Sequence, residues 1–146
     1  MREAHFGKNW TWVNLKDTLA DVDWQLAIRK REGFNTIAAL TFHINYYVES
    51  ILKVLQGKTL DSHDDYSFNH PAINNEASWQ KLLDKAWADA TTCAEMIEQL
   101  PDSKLEETFV NEKYGTYFRN FAGCIEHTHY HLGQIVILKK LFQSEA

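Results

Sequence analysis

The chain has 146 residues, of which 45% are apolar and 24% are charged. This is the mix of an ordinary globular domain, so a disordered or collagen-like chain is excluded. Twenty acidic and 15 basic residues give a net charge of −5, and there is no long run of Lys and Arg. We therefore expect no nucleic-acid partner, because such binding needs a concentrated positive face. Only two Pro and six Gly favour helices over a turn-rich β fold.

The sequence shows no sign of export or membrane insertion. No apolar run approaches the roughly 20 residues needed to cross a bilayer, and residues 1–5 have no apolar stretch typical of a secretory signal. Cys93 and Cys124 are too few for a disulfide framework. We expect a cytoplasmic protein with reduced thiols and no membrane partner, folded as a single domain over residues 1–146.

Four stretches of the chain have apolar residues at the 3–4 spacing of an amphipathic helix. They predict an all-α fold with helices over residues 14–30, 35–55, 76–100 and 116–142. Asn14 is a suitable N-cap for the first helix, with Asp17 three residues later to support its first turn. The first two helices are joined by only a few residues, which predicts antiparallel neighbours.

The links before the third and fourth helices are long. Residues 57–74 exceed an ordinary connection between bundle helices, and a link of this length allows the second and third helices to run parallel. We therefore predict a four-helix bundle of up-down-down-up order, with a long crossover between helices 2 and 3. Residues 107–110, in the second long link, are expected to be extended.

Seven histidines are a high number for this length and are the main hint of chemistry. His127 and His131 lie one turn apart on one face of the fourth helix, so both imidazoles can bind one ion. His43 lies in the middle of the second helix, on its inward side. Three inward histidines with no fourth Cys or carboxylate in the pattern predict a three-histidine metal site with an open position, as in catalytic sites.

Two interpretations of these three histidines stay open. In one they hold a divalent transition metal, whose identity a three-histidine set does not fix. In the other they are core side chains that bond to Tyr, Asn or backbone carbonyls, since an unpaired buried imidazole is costly.

The other histidines are predicted to lie outside this site. His129 is on the opposite side of the fourth helix and is expected at the surface or in an interface. His63 and His70 belong to a polar loop and are expected to be solvated, while His5 carries no signal.

Both cysteines are expected to be small core residues. An ion held between His127 and His131 would centre about 7.5 Å along the helix axis from Cys124, which is beyond the reach of a short thiol side chain. We expect the same core role for Cys93.

Three polar side chains are placed to support the site. Asn120 and Gln134 lie within about 20° of His127 around the helix axis, and are predicted to orient the imidazoles or to contact a ligand. Tyr47, one turn after His43, is the candidate catalytic group, with its hydroxyl near the open position. The alternative for each is an ordinary buried polar group with a backbone partner.

Residues 126–135 read Glu-His-Thr-His-Tyr-His-Leu-Gly-Gln-Ile, a His-x-x-x-His pair followed by x-Gly-Gln. Together with the segment 35–43 that ends in His43 and the aromatic opening at residues 6–10, this pattern resembles the DinB / YfiT-like superfamily. The resemblance implies an up-down-down-up four-helix bundle that forms a homodimer. It also implies a divalent ion, zinc or nickel most often, held by His43, His127 and His131.

The resemblance also bears on the reaction. Some members are thiol-dependent transferases that use bacillithiol, mycothiol or glutathione, and many others are described as metal-dependent hydrolases. We expect a divalent-metal-dependent enzyme acting on a small-molecule substrate, with a low-molecular-weight thiol as a candidate second cofactor. Thiol transfer is favoured over hydrolysis because no carboxylate is placed as a general base. Aromatic side chains, Tyr46, Tyr47 and Tyr130, are expected to wall the entrance, with residues 57–74 as a cap.

Two other functions stay open at this point. The chain is alternatively a non-enzymatic, metal-stabilised dimeric bundle in a stress response, or a metal-free helical adaptor whose histidines fill the core.

Overall fold

The computed structural model describes residues 1–145 and is all-helical over that range, with no named strand. This confirms the predicted all-α class. The α-helices are α1 (Arg2–Phe6), α2 (Leu15–Leu19), α3 (Trp24–Ala27), α4 (Ile37–Leu55), α5 (Glu76–Glu98) and α6 (Tyr117–Ser144). Short 3-10 turns occupy Asp64–Tyr66, Asp102–Glu106 and Glu112–Tyr114.

The prediction of one continuous first helix over residues 14–30 is wrong. The structure has two short helices, α2 and α3, because Asp23 has an extended backbone and its side chain accepts a hydrogen bond from the Leu26 N–H at 2.8 Å. That bond starts a new helix at residue 24. Asn14 caps α2 as predicted, accepting from the Asp17 N–H at 2.9 Å. Helix α1 lies where no helix was predicted.

The three long helices start and end within two residues of their predicted bounds. Each begins at a side-chain cap. Thr36 accepts a hydrogen bond from the third residue of α4, Asn75 forms a capping box with Ser78, and Thr116 caps α6. None of the described helices is long and apolar enough to cross a membrane.

Helix α4 lies at the centre of the packing and contacts both α5 and α6. The broken first segment is held to α5 by Trp79, whose fully buried indole N–H donates to the Val22 carbonyl at 2.7 Å. Two core clusters follow α4: Leu40 and Ile44 belong to one, and Val48 belongs to the other. His43 therefore lies close to the boundary between the two clusters.

Both cysteines are buried in the core, which confirms their predicted position. Burial raises the pKa of Cys93 and of Cys124 to about 12. Each thiol is therefore protonated at neutral pH and is not a nucleophile.

The link before α6 makes one short antiparallel contact. Thr108 pairs with Thr116 in an isolated bridge, and the Phe109 N–H donates to the Gly115 carbonyl at 2.9 Å. The chain is thus extended around residue 108, within the stretch predicted to be extended. The turn back uses Gly115, whose φ of 73° is readily adopted only by glycine.

Candidate metal centre

The structure brings the three predicted histidines together. His43 comes from α4, and His127 and His131 come from α6. One nitrogen of each ring lies within 4.8 Å of the others. The ring centroids are 4.5 to 4.8 Å apart. His43 and His131 are buried and His127 is half-buried. This geometry is compatible with metal binding, and the role of each residue as a ligand stays a prediction.

The proton of the His43 ring is fixed by a neighbouring hydroxyl. His43 Nδ1 lies 3.0 Å from Ser67 Oγ, and that hydroxyl donates its own proton to the Asp64 carbonyl at 2.7 Å. Because Ser67 has a single hydroxyl proton, its oxygen must accept from His43 Nδ1–H. The Nε2 atom of His43 therefore keeps its lone pair.

The His131 ring is oriented in the same way by an amide. His131 Nδ1 lies 2.7 Å from Gln134 Oε1, an oxygen that can only accept. The proton is therefore on Nδ1, and Nε2 is free to bind a ligand. This contact is of the kind predicted for Gln134, since metal-binding imidazoles commonly donate their second N–H to an oxygen.

His127 differs from the other two histidines. Its Nε2 lies 3.0 Å from His43 Nε2, while its Nδ1 is buried and has no hydrogen-bond partner among the described residues. Two nitrogens at this distance that both carry lone pairs would repel, so without an ion one of them must hold a proton. A cation shared by these rings would remove the repulsion between the two Nε2 atoms, so the cluster is compatible with a divalent transition-metal ion.

The surroundings keep two of the rings neutral. Burial lowers the pKa of His43, and it lowers the pKa of His127 to about 4. His131 acts in the same direction on both, whereas the Asp64 carboxylate opposes it. The rings of His43 and His127 are therefore neutral at pH 7, which is the form that binds a metal.

The long link between α4 and α5 covers this cluster. Ser67, which belongs to this link, is fully buried. The Phe68 ring stacks on the His43 ring, with centroids 3.9 Å apart and an interplanar angle of 7°. Ser67 and Phe68 of this link thus pack against His43, and the link was expected to form a cap. Sequence reasoning did not single out Asp64, Ser67 or Phe68.

Tyr47 lies beside the cluster, with its ring 5.2 Å from His43 and 4.6 Å from His127 between centroids. Its hydroxyl donates to Asp64 Oδ1. Burial and this carboxylate raise the pKa of Tyr47 to about 12. The phenol is therefore neutral at pH 7 and is not a base, and its predicted catalytic role stays a prediction.

Asn120 has its amide engaged away from the imidazoles. Its Nδ2 donates to the carbonyls of Tyr114 at 2.9 Å and Thr116 at 2.8 Å, which ties the preceding turn to α6. It also lines a cavity of about 370 Å³ beside His127. Its two predicted roles, orientation of an imidazole and contact with a ligand, stay predictions.

The tyrosines expected at the entrance have different positions. Tyr46 accepts from the His63 N–H at 2.8 Å and so holds the covering link to α4. Tyr130 is mostly exposed, and its ring lies 4.9 Å from that of His131.

The positions of two histidines outside the cluster can also be compared with what the sequence predicted. His63 is exposed, as expected for the polar loop. His5 is buried, with Nδ1 3.2 Å from the Met1 carbonyl, a position that no sequence pattern indicated.

The family model described as the DinB superfamily matches residues 9–135, which include all three clustered histidines. The chain belongs to the DinB superfamily. This confirms the resemblance found in the sequence, whose two histidine segments lie within the matched range. No curated protein and no solved structure matches the chain.

The neutral rings of this DinB-superfamily chain predict a dependence of stability on pH. Because the folded pKa of His127 is about 4 and its ordinary value is 6.5, the metal-free protein should keep full stability above about pH 6.5. Stability should fall as the pH decreases from 6.5 towards 4, since only the unfolded chain takes up the proton. Urea unfolding with EDTA present measures this loss.

The matched variants separate His127 from other groups. His127→Gln should show a shallower loss between pH 6.5 and 4 than the wild-type chain, whereas His63→Gln, on the exposed loop, should not differ from it. His5, whose pKa burial also lowers to about 4, contributes in the same range in all three proteins. An identical pH dependence for His127→Gln and wild type would contradict the account.

The hydrogen bond of Gln134 predicts an effect on metal affinity. Gln134→Leu removes the oxygen that fixes the His131 proton and should weaken Zn²⁺ binding by about 10- to 100-fold. Gln134→Glu keeps an acceptor and should bind nearly as tightly as wild type. Competition with a chelating dye gives both constants, and equal affinity for the Leu and Glu variants would show that the bond does not matter.

Proposed function

We propose that this protein is a divalent-metal-dependent enzyme in which His43, His127 and His131 bind one zinc or nickel ion. The observation that carries the proposal is the approach of three imidazole nitrogens from two helices to within 4.8 Å. Within residues 1–145 no Cys, Asp or Glu joins this group. Three protein ligands leave a position for a substrate, as catalytic sites do.

Thiol transfer is the reaction that the surrounding side chains favour. A bound divalent ion would supply the acidity that ionises a thiol at neutral pH. The hydrogen bond that the Tyr47 hydroxyl donates to Oδ1 of Asp64 holds the pKa of this carboxyl below its ordinary value, which makes the nearby carboxylate a weaker proton acceptor than a general base requires. Hydrolysis would need such a base, whereas an ionised low-molecular-weight thiol needs none.

The chain's own residues have defined tasks in this scheme. Ser67 and Gln134 hold protons on the Nδ1 atoms of His43 and His131, which leaves the two Nε2 atoms for the ion. Phe68 covers one ring and excludes water from it. Tyr47, which is neutral, is available to donate a hydrogen bond to a bound group if its bond to Asp64 opens.

The arrangement of the whole protein is part of the proposal. We propose an up-down-down-up four-helix bundle in which α2 and α3 together take the place of the first helix and residues 57–74 form the crossover. The single domain would act as a homodimer in the cytoplasm on a small-molecule substrate.

A second candidate is a non-enzymatic dimer in which the ion stabilises the bundle in a stress response. The position of His43 next to the boundary of two core clusters favours it, because an ion there would tie α4 to α6. In that case chelation should lower the melting temperature strongly, whereas a catalytic ion should add little to it.

The proposed reaction predicts metal-dependent turnover with a thiol. Protein loaded with Zn²⁺ or Ni²⁺ should accelerate the addition of bacillithiol, mycothiol or glutathione to an electrophile in a panel, while an ester panel shows no acceleration. His131→Ala should lose this activity, and His70→Ala, in the covering link, should keep it. Absence of acceleration for every thiol and electrophile pair would rule out the transferase.

A further inference from the structure

A cavity of about 370 Å³ lies beside the histidine cluster, between α4, α6 and the links that follow α4 and precede α6. This volume is within the range of small-molecule sites. Its inner part is apolar, with side chains of Ile51, Leu60, Phe109 and Cys124 in its wall. His127 also lines it, so a molecule bound in the cavity lies next to the cluster.

The residues that line this cavity include a positive charge and no negative charge. Among its lining residues, all within the described range, Arg119 is the single permanent charge, and no Asp or Glu is present. The Arg119 guanidinium forms no salt bridge within residues 1–145.

We propose that this cavity binds a small organic acid, with the carboxylate paired to Arg119 and the apolar body directed towards Phe109 and Cys124. The inference rests on the proposed function and names the class of its substrate. A guanidinium presents two parallel N–H donors that match a carboxylate. Arg119 is exposed whereas Phe109 and Cys124 are buried, so the acid group lies at the open end and the apolar end lies inside.

Gly123 gives a way to close the cavity. It lines the cavity from α6, and a Cβ atom added there meets no atom within 4 Å. A leucine at this position therefore extends into open space without a backbone clash. Gly133 is a matched control, because it is a second helical glycine of α6 with equally free surroundings and it does not line the cavity.

The test compares 4-phenylbutanoate with 4-phenylbutanamide, two probes of nearly equal shape that differ in charge. NMR titration of the metal-free protein with EDTA at pH 7 gives both dissociation constants. The acid should bind wild type about tenfold more tightly than the amide. Arg119→Gln should reduce this ratio to about one and leave the amide affinity unchanged. Lys113→Gln, which removes a charge from a nearby exposed residue outside the cavity, should keep the ratio.

The cavity variants locate the binding. Gly123→Leu should abolish binding of both probes, and Gly133→Leu should leave it unchanged. Equal affinity of wild type for acid and amide, no binding of either probe, or an unchanged ratio in Arg119→Gln would overturn the inference. Since Arg119 is exposed, we expect its replacement to leave the packing of the core unchanged.

The proposed metal-dependent reaction and the proposed organic-acid site can be contradicted independently of each other. The titration contains no metal, so its failure leaves the ion and the reaction untouched. Conversely, an inactive metal-loaded protein that still prefers the acid would contradict the proposed reaction and leave the binding site standing.

Discussion

The approach of His43 on α4 to His127 on α6, with their Nε2 atoms 3.0 Å apart, is the contact on which the rest of the site depends. Two imidazoles placed between packed helices cannot both be charged, and each needs partners for its polar atoms. Desolvation keeps the two rings neutral, since it lowers the pKa of both. Ser67 is the hydrogen-bond partner of His43 Nδ1, while His127 Nδ1 has no partner within the described chain.

This arrangement explains why a long link lies where it does. The segment from Asp64 to Phe68 supplies a hydrogen-bond acceptor for His43, a carboxylate for Tyr47 and an aromatic ring over the imidazole. A short connection between α4 and α5 would provide none of these groups. The link thus has a physical task in addition to joining two helices.

The bounds of α4, α5 and α6 could be predicted because apolar spacing and N-caps agree at each of them. The shared face of His127 and His131 followed from helix geometry alone. The break in the first segment could not be predicted, because Leu15, Leu19 and Val22 have the same spacing in one helix as in two short ones. Only the cap at Asp23 decides it, and an aspartate at an exposed position carries no distinct signal.

The partners of the histidines were predicted in part. Gln134 was singled out because it lies within about 20° of His127 around the helix axis, and in the structure its side-chain oxygen contacts His131. Ser67 and Phe68 were missed because a link without periodicity does not indicate which residues turn inward. His5 was missed for the same reason: its burial depends on how α1 packs against the rest of the chain, and a five-residue helix has too little pattern to show a face.

The most direct test of the metal site is metal analysis combined with X-ray absorption spectroscopy on untagged protein. We expect one zinc or nickel per chain, with three imidazole ligands and one oxygen ligand. Sulfur should replace that oxygen when a thiol is added. The metal should be lost in the double variant His127→Ala/His131→Ala and kept in His63→Ala/His70→Ala. Absence of bound metal in the wild type, even after incubation with Zn²⁺ and Ni²⁺, would contradict the account and identify the three histidines as core polar groups of a helical adaptor.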